Sequence, residues 1–189
     1  MFKVGLTRDF LTPEGILTYD DIGLRILEEA DGITYEFMKE YRSPVTAEMI
    51  ADYDVIISLA PAYNSESFKD VNRLKAICRF GVGYDMVDLE ACTKANVLVT
   101  ITQGAVNYSV AESVITWMLA LAHRVLEKNR LVRNGGWARR SNYSGSELRG
   151  RTLGIIGLGG IGGKLAELLQ PFGMNQPLAF DPYADENRA

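Results

Sequence analysis

Along the first hundred residues, short apolar runs alternate with segments whose apolar residues recur at helical spacing. The apolar runs are bounded by turn-forming residues and predict strands at 2–6, 33–37, 55–59, 74–79 and 97–101. The segments between them predict helices at 17–29, 46–52, 65–71 and 89–95, with Thr46 and Asp88 as N-caps. This alternation is typical of an α/β fold, in which right-handed crossovers build a parallel sheet with helices on both faces.

After residue 103 the pattern changes to a long helix, which we expect to begin at Ser109 and to bridge two domains, 1–103 and 104–189. Its apolar residues recur three or four positions apart and are Val110, Val114, Trp117, Met118, Leu121 and Val125. Ser109 and Glu112 match a capping box, which explains both residues without a catalytic role. A second helix is predicted at 127–133, and residues 137–150 are predicted to form a polar loop.

An apolar run at 153–156 leads into the glycine-rich segment Gly157-Leu158-Gly159-Gly160-Ile161-Gly162. Between a strand and a helix, this Gly-x-Gly-x-x-Gly spacing is typical of dinucleotide binding. The first glycine makes a tight turn, the second lets the backbone approach the pyrophosphate, and the third lets helix and strand pack closely. We expect the helix to begin near Ile161, with its N-terminus facing the pyrophosphate. Asp181 ends the next apolar run and is predicted to bind the ribose. The alternative is a glycine-rich turn with an incidental acid.

A second glycine-rich turn, Gly81-Val82-Gly83, follows the predicted strand at 74–79. Ligands of α/β proteins bind outside the carboxyl ends of parallel strands, which is where this turn is expected to lie. Two glycines separated by one residue let successive backbone amides converge on an anion, such as a carboxylate. The alternative is a tight turn that needs glycine only for a positive φ.

Composition narrows the class of protein. The chain has 189 residues, of which 47% are hydrophobic and 23% charged, as expected for a globular protein. A net charge of −4 argues against general nucleic-acid binding.

The sequence shows neither a secretion signal nor a run of transmembrane length, so we expect a cytoplasmic protein that binds no membrane. Cys78 and Cys92 match no metal motif, and we expect reduced packing residues and no metal site.

These motifs together resemble the D-isomer-specific 2-hydroxyacid dehydrogenases, and the resemblance covers the whole chain in the order of the family. The segments that carry it are Phe80-Gly81-Val82-Gly83-Tyr84-Asp85, Asn107-x-Ser109-Val110-Ala111-Glu112, Gly135-Gly136-Trp137, residues 147–162, Phe172-Gly173-Met174 and Asp181-Pro182-Tyr183. The resemblance implies a flavodoxin-like substrate domain at 1–103, followed at 104–189 by the first half of a Rossmann dinucleotide-binding domain.

The resemblance also implies the ligands of both domains. The substrate carboxylate would be held by the backbone around Gly81, Val82 and Gly83, with Val82 also near the nicotinamide. NAD would be held by Gly157, Gly159, Gly160, Ile161, Gly162 and Asp181. The substrate would be a small 2-oxo or 2-hydroxy acid, as for a hydroxypyruvate or glyoxylate reductase or a phosphoglycerate-dehydrogenase-like enzyme. Family members form twofold dimers, so a homodimer is expected.

The catalytic Arg, Glu and His of the family lie beyond the position where this sequence ends, so we expect a truncated chain and assign no catalytic residue. His123, the only histidine, is expected to be a residue of the long helix. An alternative is an NAD-sensing interaction protein that resembles the C-terminal-binding corepressors. The sequence departs from the family at Gly160, where many members carry Arg. It also has Pro177 near the last strand, which it is expected to begin.

Overall fold

The computed structural model describes residues 1–184. The chain divides into two compact units between Gln103 and Gly104. Each unit has its own sheet and its own buried apolar cluster.

The first unit contains five strands: β1 (Phe2–Leu6), β2 (Ile33–Phe37), β3 (Val55–Ser58), β4 (Ala76–Arg79) and β5 (Leu98–Thr100). They form one sheet of order β2-β1-β3-β4-β5 in which every neighbouring pair is parallel. This is the strand order of flavodoxin-like folds. The predicted α/β fold class is confirmed by this parallel sheet and by the helices that connect its strands.

The helices of the first unit are shorter than the sequence pattern predicts. They are α1 (Leu24–Glu28), α2 (Ala47–Ile50) and α3 (Leu89–Lys94), with 3₁₀ helices at Arg8–Phe10 and Ser65–Phe68. The helix predicted at 17–29 is reduced to α1, because Gly23 has a φ of 77° and its left-handed conformation cannot belong to the helix. The N-cap predicted at Asp88 is confirmed, since its carboxylate accepts a hydrogen bond from the Ala91 amide at 2.9 Å.

The second unit contains α4 (Asn107–Ala122), α5 (Val125–Arg133), β6 (Gly154–Ile156), α6 (Gly160–Leu169) and β7 (Leu178–Phe180). Shorter 3₁₀ helices lie at Trp137–Tyr143 and Gln170–Phe172. β6 and β7 pair in parallel, with Ile155 opposite Ala179. Helices α4 and α6 pack together around a buried cluster of Ala111, Leu148, Leu165 and Leu169.

The predicted start of the long helix at Ser109 is wrong, because α4 begins at Asn107. Ser109 therefore lies in the first turn, where its carbonyl oxygen accepts a hydrogen bond from the Ser113 hydroxyl at 2.9 Å. No side chain caps the helix, so Ser109 and Glu112 do not form the predicted capping box. His123 lies just past the last helical residue rather than inside the helix.

Two loop predictions also differ from the structure. The segment predicted as a polar loop at 137–150 contains the 3₁₀ helix Trp137–Tyr143. Pro177 precedes the last strand instead of beginning it, because the ladder starts at Leu178, whose amide donates to the Leu153 carbonyl oxygen at 2.8 Å. Proline has no amide hydrogen to donate at that position.

The two-stranded sheet is covered on one face only. Ile155 is 8% exposed and faces α6, whereas its neighbour Ile156 is 92% exposed. On β7, Leu178 and Phe180 are each 68% exposed. Alternation along a strand places successive side chains on opposite faces, so one face of this strand pair carries bare apolar side chains. Within residues 1–184, no helix combines the length and apolar character needed to cross a lipid bilayer.

Candidate dinucleotide and carboxylate sites

Gly157 begins the turn between β6 and α6 with a φ of 91°. Side chains other than glycine rarely adopt this conformation, because their Cβ would collide with the backbone. The amide of Gly157 donates to the Phe180 carbonyl oxygen at 2.8 Å, which joins the turn to the end of β7. Gly157 therefore makes the sharp bend that the first glycine of a dinucleotide motif is expected to make.

Gly162 allows α6 to lie directly on the strand that precedes it. A Cβ built on Gly162 would lie 2.2 Å from the carbonyl oxygen of Gly157 and 3.2 Å from Cγ2 of Ile155. The first of these contacts involves backbone, which cannot move away as a flexible side chain can. The structure thus requires glycine at 162 for close packing, as expected for the third glycine of the motif.

Gly159 differs from the other two, because nothing in the described structure requires glycine there. Its φ of −76° suits any residue, and a Cβ built on it would meet no heavy atom within 4 Å. The absent side chain leaves open space beside the backbone. This is the arrangement that lets a ligand approach the main chain closely, as expected for the second glycine.

The first turn of α6 presents free amides beside this space. The hydrogen bonds of the helix begin at Gly163, whose amide donates to the Gly159 carbonyl oxygen at 2.9 Å. Among residues 1–184, the amides of Gly160, Ile161 and Gly162 donate to no group. Unpaired amides and the helix dipole favour a phosphate at such an end. The open space, the free amides and the tight turn fit the pyrophosphate of a dinucleotide.

Asp181 lies beside this turn, as the sequence predicts. Its Oδ2 accepts a hydrogen bond from the Leu158 amide at 2.7 Å, and its Oδ1 accepts one from the Tyr183 amide at 2.8 Å. These two bonds hold the carboxylate at the edge of the turn. Each carboxylate oxygen can accept a further hydrogen bond, so Asp181 retains acceptors for the hydroxyl groups of a ribose.

The second glycine-rich turn lies in the first unit, at the carboxyl end of β4. It is tied to both neighbouring strands: the Phe80 amide donates to the Ser58 carbonyl oxygen at 2.8 Å, and the Thr102 amide donates to the Gly81 carbonyl oxygen at 3.0 Å. Neither Gly81 nor Gly83 has a positive φ, so the interpretation that these glycines serve only a strained turn is wrong.

The turn is open where an anion is expected to bind. A Cβ built on Gly83 would meet no heavy atom within 4 Å. The amides of Val82 and Gly83 donate to no group of the described residues. Two adjacent free amides beside open space can both donate to a carboxylate, whose oxygens carry several acceptor lone pairs.

Sequence reasoning missed a cation beside this turn. A Cβ built on Gly81 would lie 3.4 to 3.5 Å from the guanidinium atoms of Arg79, which also donates to the Leu59 carbonyl oxygen. A guanidinium next to two free amides strengthens the attraction for an anion. In the sequence, only the position of Arg79 could have indicated this role, since it is the last residue of β4 and lies two residues before Gly81.

Cys92 and His123 do not form part of these two sites. Burial raises the pKa of the Cys92 thiol to about 11, so Cys92 is protonated at neutral pH and is unsuited to nucleophilic chemistry. His123 is exposed at the end of α4.

Comparison with known proteins identifies relatives along nearly the whole chain. The family model for the catalytic domain of D-isomer specific 2-hydroxyacid dehydrogenases matches residues 16–177. The D-3-phosphoglycerate dehydrogenase of Methanocaldococcus jannaschii is 34% identical over 184 residues, which is 97% of this chain and 33% of that protein. The glyoxylate reductase of Thermococcus litoralis is 32% identical over 162 residues, which is 80% of this chain and 48% of that protein.

Among solved structures, D-lactate dehydrogenase from Aquifex aeolicus, complexed with NAD and lactic acid, superposes with a TM-score of 0.76 at 26% identity. The match covers 98% of this chain and 53% of that one. The chain therefore spans between about a third and about half of the relatives described here. On the family model and these identities, the chain belongs to the D-isomer-specific 2-hydroxyacid dehydrogenase family.

Proposed function

We propose that this chain binds NAD and the carboxylate of a 2-oxo or 2-hydroxy acid, as part of an oxidoreductase that acts on the CH–OH group of D-2-hydroxy acids. Residues 1–103 form the substrate domain, and residues 104–189 belong to the NAD domain. The observation that carries the proposal is the turn at Gly157–Gly162. Gly157 is required by its positive φ and Gly162 by its contact with backbone, while Gly159 leaves open space, and free amides lie at the N-terminus of α6.

NAD supplies the hydride acceptor or donor of the reaction. The residues of this chain bind and orient it. The amides of Gly160, Ile161 and Gly162 hold the pyrophosphate, with Gly159 leaving room for its approach. Asp181 accepts hydrogen bonds from the adenosine ribose, in keeping with its fixed place beside the turn.

The proposed substrate is recognised mainly through its carboxylate, by the amides of Val82 and Gly83 beside Gly81. Because backbone donors bind this group, they carry little information about the rest of the acid. For phosphorylated substrates the family resemblance implies an Arg in the segment after the third strand, where this chain has Ser58, Leu59 and Ala60. Because this segment carries no Arg of its own, we favour a glyoxylate or hydroxypyruvate reductase over a phosphoglycerate-dehydrogenase-like enzyme, although the Arg79 guanidinium donates to the Leu59 carbonyl oxygen.

We expect the purified 189-residue chain to bind NADH without oxidising it. Its turns supply cofactor and carboxylate donors, but the single histidine of the sequence, His123, lies at the end of α4 and in neither turn. Fluorescence titration with NADH measures binding, and absorbance at 340 nm with glyoxylate or hydroxypyruvate measures turnover. Absence of NADH binding would contradict the proposed cofactor site. Turnover that disappears in His123→Ala would contradict the assignment of His123 to a non-catalytic position.

The coding sequence downstream of residue 189 separates the dehydrogenase from the NAD-sensing alternative. Family motifs with Arg, Glu and His in the same reading frame would support the dehydrogenase, and the protein expressed from that frame should then reduce 2-oxo acids. An immediate natural stop would favour the interaction protein.

We also expect the 189-residue chain to form a homodimer through α4, α5 and the following segment. Trp117, Leu121 and Trp137 are 68%, 77% and 63% exposed, and such large apolar side chains are depleted from the surfaces of stable monomers. Sedimentation velocity at micromolar concentration should show a particle of twice the chain mass. Trp117→Glu combined with Leu121→Glu should give a folded monomer. A compact monomer of the unmodified chain would contradict this expectation.

A further inference from the structure

Asn107, the first residue of α4, lies against Gly160, the first residue of α6. A Cβ built on Gly160 would lie 2.4 Å from Nδ2 of Asn107 and 3.0 Å from its Oδ1. The carboxamide therefore occupies the space that any side chain at 160 would need. Gly160 does not have a positive φ, so its backbone would accept another residue, but a side chain there would have to displace the flexible end of Asn107.

The unit itself gives this carboxamide no hydrogen-bond partner. Asn107 is half-buried, and none of the side-chain hydrogen bonds of residues 1–184 involves its carboxamide. The start of α4 does not use it either, since no side chain caps that helix. A carboxamide has two donor hydrogens and an acceptor oxygen. Those of Asn107 are not among the buried unpaired atoms of residues 1–184, so they remain accessible to a ligand. A ligand at this position could therefore bond to the carboxamide without displacing a bond made by the protein.

The groups around the carboxamide define the chemistry of that ligand. The amides of Gly160, Ile161 and Gly162 are donors without acceptors among residues 1–184, and they lie at the positive end of the α6 dipole. Nδ2 of Asn107 adds one more donor to the same end of the helix. Several donors without an acceptor are complementary to a group that carries several anionic oxygens.

We propose that Asn107 is a pyrophosphate-binding residue of the dinucleotide site, with Nδ2 donating to a phosphate oxygen beside Gly160. The inference rests on the proposed function, because it assumes that a dinucleotide binds at the turn. It extends that function to a residue of α4, which lies 53 positions before Gly160 in the sequence and outside the glycine motif.

The test compares three ligands that share the adenosine moiety: NADH, ADP-ribose and adenosine. Calorimetric titration of the 189-residue chain gives the Kd of each. Asn107→Ala should weaken the binding of NADH and ADP-ribose about tenfold, because hydrogen bonds to charged groups are the stronger ones. The Kd of adenosine should not change, because adenosine carries no phosphate.

Two further variants complete the test. Asn107→Asp keeps the shape of the side chain but introduces a negative charge, so it should weaken NADH and ADP-ribose more than Asn107→Ala does. It also keeps the proposal testable if the alanine variant fails to fold. Asn142→Ala is the matched control, because it removes an exposed carboxamide from the 3₁₀ helix Trp137–Tyr143 of the same unit. It should bind all three ligands as the unmodified chain does.

Equal NADH affinity of the unmodified chain and Asn107→Ala would overturn the inference and leave the cofactor site intact. An equal loss of affinity for adenosine and for ADP-ribose would also overturn it, since that result indicates a role in packing. If the unmodified chain binds neither NADH nor ADP-ribose, the proposed function fails, and this inference fails with it.

Discussion

Replacement of Gly162 by Ala is expected to abolish measurable NADH binding and to destabilise the second unit by about 2 to 3 kcal/mol. The added Cβ would lie 2.2 Å from the Gly157 carbonyl oxygen, so α6 must move away from β6. This movement displaces the amides of Gly160 and Ile161, which are proposed to hold the pyrophosphate. Urea unfolding measures the stability change, and fluorescence titration measures NADH binding.

Gly163 provides a matched control one residue later in the same helix. A Cβ built on Gly163 would meet no heavy atom within 4 Å. Gly163→Ala should therefore retain NADH binding and raise stability by roughly 0.5 to 1 kcal/mol, because alanine is the better helix former. If Gly162→Ala bound NADH as tightly as Gly163→Ala does, the close packing of the third glycine would not position the cofactor amides.

Asp181→Asn is expected to lower the preference of the chain for NADH over NADPH by about 10- to 100-fold. The unmodified carboxylate can accept hydrogen bonds from the ribose 2′-OH and repels a 2′-phosphate. An asparagine keeps an oxygen that can accept from the Leu158 amide, as Oδ2 of Asp181 does at 2.7 Å. The substitution therefore removes the negative charge and preserves the bond to the Leu158 amide, but it loses the bond from the Tyr183 amide to Oδ1.

The preference is measured as the ratio of the Kd values for NADPH and NADH at one fixed ionic strength. Asp31→Asn changes the net charge equally at an exposed position of the first unit, and it should leave the ratio unchanged. A higher affinity for NADPH than for NADH in the unmodified chain would contradict the role of Asp181. An unchanged ratio in Asp181→Asn would contradict it equally.

The sequence predicted most of what depends on short stretches of chain. The strands Phe2–Leu6 and Ile33–Phe37 have their predicted bounds, because short apolar runs flanked by turn residues define them locally. Helix lengths were less predictable. Residues 17–23 have a composition compatible with a helix, but the left-handed Gly23 separates them from α1. The capping-box pattern at Ser109 and Glu112 predicts a helix start two residues too late, because α4 begins at Asn107 without a side-chain cap.

The candidate sites were likewise predictable as positions in the chain but not as arrangements of atoms. The spacing of Gly157, Gly159 and Gly162 indicated a dinucleotide turn, because the chemistry of pyrophosphate binding imposes that spacing. Sequence alone did not show which glycine is required by φ and which by contact with backbone, since these depend on where β6 and α6 lie. The guanidinium of Arg79 beside Gly81 was also not apparent from spacing.

By itself, then, the sequence determined the α/β class, the two glycine-rich turns and the acid that follows β7, because each is specified by residues close together in the chain. Only the tertiary structure decided which side chains meet. Asn107 lies against Gly160 because α4 and α6 pack together, and this contact joins residues far apart in sequence. Packing likewise buries Ile155 and leaves Ile156 exposed, although both residues are isoleucines in the same strand. Hydrophobicity predicts that a residue prefers burial, whereas the arrangement of neighbouring elements decides whether it is covered.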